Sequence, residues 1–174
     1  ADLQLIKDIG ARVHLTITPY DRDIISKIEP IAVTTEARFK LAELLVANGV
    51  PVHLSISPVM PVLSDSFTQA FADRIAKIKP GGFTIDPMQA YGAAFEATEK
   101  ALAGDPRWVA AAAVIQDSDD YSTWKAAYVA AWKKAWEPYA SLPIIPIAMD
   151  HAGKTRHDLR TGLAIDFKNF AYAK

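Results

Sequence analysis

The chain has 174 residues, 51% of them apolar, which is enough for one domain with a sizeable core. Its 19 Lys and Arg nearly offset 20 Asp and Glu, so no net field draws it to nucleic acid or to a membrane surface. Cysteine is absent, which excludes disulfides, thiol catalysis and any thiolate metal site built from this sequence. No apolar run has the length of a membrane span and no leader-peptide pattern stands out, so the expectation is a soluble, cytoplasmic protein with no membrane partner.

The first stretch, ADLQLIKDIGA, places Leu3 and Ile6 at helical spacing with Gly10 as a stop, and predicts a short helix. A strand, VHLTIT, follows. In it Val13, Leu15 and Ile17 alternate with His14, Thr16 and Thr18. Pro19 and Pro30 then punctuate a segment that reads as a loop with one helical turn. Thr34 or Thr35 caps the next helix, whose expected buried side is Phe39, Leu41, Leu44 and Leu45 and whose end is Asn48-Gly49. A second strand, VPVHLSIS, sets Val52, Leu54 and Ile56 against His53, Ser55 and Ser57. Strand, helix, strand implies parallel pairing through a crossover. Beyond Pro58 and Pro61, Ser66 and Gln69 read as a capping box for a helix with the stripe Phe67, Phe71, Ile75 and Ile78. GGFTIDP is a third strand, adding Thr84 and Asp86 to the polar side.

Parallel sheets are normally covered on both faces, so this polar side is expected to be enclosed and to form a ligand cavity. After Pro87 a helix runs to Gly104, and from Arg107 the chain becomes α-rich. There an acidic helix start at Asp117, Asp119 and Asp120 precedes Trp124, Tyr128, Trp132 and Trp136, spaced by four. Such spacing serves core packing or base stacking, and packing is the simpler account. IIPIAM and LAIDF are strand candidates separated by a polar loop, DHAGKTRHDLRTG. The expected fold is α/β: an incomplete parallel β/α barrel of about three parallel strands with crossover helices over residues 1–106, and an α-rich extension over 107–174 packed on it.

One ordered set of short motifs goes further. Leu15-Thr16-Ile17-Thr18, Ile28-Glu29-Pro30, Arg38 in EARFKLAELL, Ala47-Asn48-Gly49-Val50-Pro51-Val52, and Ser57-Pro58-Val59-Met60-Pro61 with Asp65 together resemble the radical S-adenosylmethionine enzymes. Within that superfamily the likeness is to the spore photoproduct lyase-like group, also described as DNA repair photolyases, and it spans about residues 1–86. The resemblance implies a partial barrel with S-adenosylmethionine across the C-terminal ends of its strands. Thr16 then matches a hydroxyl at the cofactor's ribose, and Ser57 a position on its adenine side. Arg38 and Glu29 match a recurring pair that either touches cofactor or braces a loop, the brace being the preferred reading. With Thr18, Ser55 and Asp86 from the polar face, these complete the candidate cofactor-binding set.

Two departures from the family pattern matter. Val62 stands where the family has glycine, so a glycine conformation is not expected there. The CxxxCxxC loop that holds a [4Fe-4S] cluster is also missing, and no cysteine replaces it. The resemblance therefore implies a longer parent in which the missing N-terminal half supplies the cluster and is this chain's first partner. In that parent a 5′-deoxyadenosyl radical would abstract hydrogen from an unknown substrate, with a DNA photoproduct suggested only by the family's name. This chain alone is expected to be inactive and to hold neither cofactor tightly.

Two readings from other classes compete. A non-catalytic binding module would complete its sheet by self-association, or with another chain, through the exposed edge of VHLTIT. A metallohydrolase would use His14, His53 and Asp86, but both histidines lie in the first half of their strands, away from the C-terminal ends where barrel chemistry gathers. Gly153-Lys154-Thr155 lacks the earlier glycine of a phosphate-binding loop. Lys154, Arg156, His157 and Arg160 read as a solvated loop rather than a nucleic-acid contact.

Overall fold

A computed structural model describes residues 2–149, 156–161 and 163–165. Along the chain run α1 (Asp2–Asp8), β1 (Val13–Ile17), α2 (Arg22–Ile28), α3 (Thr35–Ala47), β2 (Val52–Val59), α4 (Thr68–Ile78) and β3 (Gly82–Pro87). They continue as α5 (Ala93–Ala101), α6 (Pro106–Gln116), α7 (Ser118–Trp136), β4 (Ile145–Met149) and β5 (Arg156–Asp158). The fold is mixed α/β around one five-stranded sheet in the order β1-β2-β3-β4-β5. The first four strands are parallel and β5 is antiparallel to β4.

This corrects the expectation of three parallel strands. IIPIAM joins the sheet as a fourth, with Ile145 opposite Gly82 and Ala148 opposite Ile85. Its apolar run is what a strand flanked on both sides requires. The basic segment expected to be a loop supplies β5, and LAIDF contributes a single bridge from Ala164 to His157, while its Asp166 and Phe167 lie outside the described residues. Region 107–174 is therefore not only an α-rich addition, since two of its segments extend the sheet.

Two apolar clusters hold the layers together. On one face of the sheet Ile17, Leu54, Ile56, Phe83 and Ile85 pack against Phe39 of α3, Phe71 and Ile75 of α4, and Tyr128, Trp132 and Trp136 of α7. The second joins residues just past the strand ends, Tyr20, Met60 and Met88, to Ile24 of α2, Phe95 of α5 and Trp108 of α6.

Several local expectations resolve at atomic detail. Thr34 caps α3, its hydroxyl accepting the Ala37 N–H at 3.2 Å. The buried side of that helix is Phe39, Ala42 and Leu45, and Leu41 and Leu44 face solvent, because steps of three keep a 100° rotation on one side. Ile24 anchors α2, which has two turns where one was expected. The Ser66–Gln69 capping box does not form. The chain enters α4 through a tight turn at Asp65–Phe67, and Gln69 donates to Asp73 at 2.7 Å instead. α5 begins only at Ala93, after Gly92. Asp117 caps α7 by accepting the N–H groups of Asp119 and Asp120, so the acidic run is a helix start.

Val62 overturns an expectation outright: its φ is +64°, in the left-handed region that glycine favours. The turn is held by Asp65, which accepts the Val62 N–H at 3.1 Å, and by the Ser64 hydroxyl, which accepts the Met60 N–H at 2.8 Å.

Candidate functional site

Parallel pairing brings Thr16 opposite Ser55 and Ser55 opposite Thr84, just ahead of a register shift between Ile56 and Val59. Strand alternation puts Ser57 and Asp86 on the same face, two residues nearer the C-terminal ends. The four strand positions Thr16, Ser55, Ser57 and Asp86 thus share one side of the sheet, with Ser57 Oγ 3.5 Å from Asp86 Oδ2. Enclosure of this side is graded, not complete. Thr16 and His14 are exposed on β1, Ser55 and Ser57 half-buried on β2, and Thr84 buried on β3. The expected closed cavity is therefore open at β1, which in the described sheet pairs with β2 alone and so has an unflanked edge.

Thr18 and Arg38 play a different part. Arg38 pairs with Glu29 and donates to the Thr18 hydroxyl at 3.0 Å and to the Thr16 carbonyl at 3.1 Å. The Thr18 hydroxyl in turn donates to the Glu29 carboxylate, and the Thr35 hydroxyl donates to the Thr18 carbonyl at 2.9 Å. Glu29 closes α2 and Arg38 lies in the second turn of α3, so the network ties the β1–α3 connection to the end of β1. Thr18 and Arg38 are thus engaged within the protein, as bracing groups, and Thr16, Ser55, Ser57 and Asp86 remain the residues open to a ligand.

Around Asp86 lie groups that sequence reasoning did not assign to the site. Burial raises its pKa, opposed by the Ser57 hydroxyl and by the positive charges of Arg156 and Lys125. Lys125 is 3% exposed, and its Nζ sits 5.6 Å over the Tyr121 ring. Tyr121 donates to the Met88 carbonyl, and burial together with the Asp86 charge raises its hydroxyl pKa. A signal for this cluster exists in the sequence. Tyr121, Lys125, Tyr128, Trp132 and Trp136 follow steps of four, three, four and four, which tracks the 3.6-residue turn and places a lysine inside the buried stripe. The even spacing from Trp124 hid it.

That stripe is core. Tyr128, Trp132 and Trp136 are buried, and Trp132 and Trp136 pack their rings against Phe83 at 5.4 and 4.8 Å. The half-buried Trp124 donates its indole N–H to Asp65 at 3.0 Å. Base stacking on Tyr128, Trp132 and Trp136 is excluded by their burial.

His14 and His53 face each other across β1 and β2 with ring centroids 5.0 Å apart. His53 Nε2 meets the Thr84 hydroxyl at 2.8 Å, and burial, followed by the charges of His14 and Arg156, lowers its pKa to about 4. Asp86 instead keeps company with Ser57, and among the described residues no group of three His, Asp or Glu side chains is arranged to hold a metal. The His/His/Asp reading loses its geometry. Of the basic segment, Arg160 pairs with Asp158 at 2.6 Å, and Lys154 lies outside the described residues. No helix among the described residues is long and apolar enough to cross a membrane. No family model, no characterised protein and no solved structure matches this chain.

Proposed function

We propose that this chain is the C-terminal part of a radical S-adenosylmethionine enzyme of the spore photoproduct lyase-like group, a partial barrel whose open polar face binds the cofactor. One observation carries the reading. Thr18, Glu29 and Arg38, residues singled out by the motif resemblance and spread over three segments, converge in one hydrogen-bonded network at the C-terminal end of β1. The hydroxyls of Thr16, Ser55 and Ser57 and the Asp86 carboxylate lie beside it, at the end of a parallel sheet where ligands of such folds sit.

These residues fit a nucleoside-bearing ligand. Thr16 is exposed and Ser55, Ser57 and Asp86 are half-buried, so each can exchange hydrogen bonds with ribose hydroxyls or adenine nitrogens. In a longer parent that brought its own one-electron donor, bound S-adenosylmethionine would supply the means of hydrogen abstraction. Thr16 and Ser57 orient it, and the Arg38–Glu29 brace keeps the β1 end in place. The iron–sulfur cluster does not fit this chain, which has no thiolate to offer.

The test is the intact mass of the protein from its native source, with peptide sequencing upstream of Ala1. A longer chain with three closely spaced cysteines supports the reading, and Thr16→Val in that parent then weakens S-adenosylmethionine binding. A native chain of 19.0 kDa refutes it. A second reading, a module that adds another chain's strand to its sheet, is favoured by the unflanked edge of β1 and would then lead.

A further inference from the structure

A second cavity opens at the opposite, N-terminal ends of the strands. It holds about 340 Å³, within the range of small-molecule sites, and lies between the starts of β1 and β2 and the turn after α4. Its titratable lining residues are Arg12, His14, His53 and Lys79, with no aspartate or glutamate among the described residues, and the walls between them are apolar, Val52 and Pro80 among them. A site with basic groups on an apolar, proline-stiffened wall is complementary to a small molecule with one anionic end and a flat apolar body.

The histidine pair at one side of this cavity is built into the sheet. In-register pairing sets His14 directly opposite His53, and the 5.0 Å stack leaves the rings 28° from parallel. Thr84 fixes the His53 ring from below. Gly82 leaves it room: a Cβ at that position would lie 3.2 Å from His53 Nδ1 and 3.0 Å from the Ile145 carbonyl oxygen. The ring is thus held in one place before any ligand arrives, so binding costs little reordering there. His53 is kept neutral by its burial, which leaves Lys79 at the rim to meet a ligand's negative charge.

We propose that this cavity binds a small aromatic oxyanion, its ring extending the His14–His53 stack and its carboxylate or phosphate facing Lys79. The site is separate from the polar groups at the C-terminal strand ends and stands whether or not those bind a nucleoside. Nothing in its lining distinguishes a carboxylate from a phosphate, so both are offered as probes.

The experiment titrates the 174-residue protein with benzoate and with phenyl phosphate at pH 7, following the histidine ring resonances by NMR, with benzyl alcohol as the neutral control. Saturable shifts of His14 and His53 with either anion, and at least tenfold weaker binding of the control, are expected. Which anion binds tighter identifies the source. Lys79→Glu, on the surface, should weaken the anions at least tenfold and leave the control unchanged. Two results overturn the proposal: no saturable shift with either anion, or binding that benzyl alcohol and Lys79→Glu match. A His14→Ala variant keeps the test open if Lys79→Glu misfolds, since loss of the stacking surface must also weaken both anions.

Discussion

Arg38→Met should destabilise the protein by about 2–3 kcal/mol, because it removes three hydrogen bonds whose net worth is about 1 kcal/mol each where water can replace part of what is lost. Three contacts disappear: the Glu29 pair and the bonds to the Thr18 hydroxyl and the Thr16 carbonyl. Both charged side chains are mostly covered, at 14% and 26% exposure, so solvent screens the pair less than an ordinary surface pair. The Thr16 carbonyl lies at the sheet edge and regains water, which keeps the loss at the lower end for that contact. Glu29→Gln, which keeps size and the hydrogen bond from Thr18, should cost about 1–1.5 kcal/mol. Urea unfolding of both single variants and of the double variant gives the coupling, expected at about 1–2 kcal/mol. The assay is run without any cofactor. A loss under about 0.5 kcal/mol for Arg38→Met would put the pair among exposed ion pairs with no net effect, and would return Arg38 to the ligand-binding set.

Trp132→Ala, emptying a fully buried position against Phe83, should lower stability by about 3–5 kcal/mol in the same assay, and an unaffected midpoint would contradict its core role. Gly82→Ala should cost about 1–3 kcal/mol, since the new methyl meets the Ile145 carbonyl and the His53 ring, and NMR should show the His53 resonances moving with it. Val62→Gly should raise stability by about 1 kcal/mol, as relief of left-handed strain of about 1–3 kcal/mol exceeds the added unfolded-state freedom of about 0.5–1 kcal/mol. His53 has a folded pKa of about 4, below its unfolded value, so the unfolded state binds the extra proton between about pH 4 and 6.5. Its contribution is complete above that window and is lost as pH falls through it, by up to about 3 kcal/mol, and His53→Gln should flatten this slope in unfolding measured from pH 4 to 7. Asp86 works in the opposite sense. With its pKa raised by burial, acidification through that pKa favours the folded state, which carboxyl titration by NMR resolves from the histidine.

Strict alternation made the first three strands and their shared polar face readable, because a period of two tolerates no slip without turning His14, Thr16 and Thr18 to the other side. The fourth strand was visible as a segment but not as a member of the sheet. IIPIAM carries no alternation, and its place beside β3 depends on α5, α6 and α7 folding back over the 57 residues between Pro87 and Ile145. Thr18 and Arg38 were legible as important but not as partners of each other, since only the turn made by α2 brings Glu29 between them. Lys125 was not legible because aromatic residues at a spacing of four mask the stripe that the helix buries, which drifts with 3.6. The left-handed turn at Val62 ran against its own side chain. Bonds from Asp65 and Ser64 hold it there, and propensity alone could not supply them.

The bond from Arg38 to the Thr16 carbonyl also decides how far another strand can zip along β1. The Val13 N–H donates to the Pro51 carbonyl, so the main-chain groups of His14 and Thr16 point outward, away from β2. An incoming strand can exchange bonds with both groups of His14 and with the Thr16 N–H, and then meets a guanidinium in the next rung. Pairing is therefore arrested at a fixed point, which sets the length and the stopping register of whatever completes the sheet and denies an open-ended ladder to chance associations.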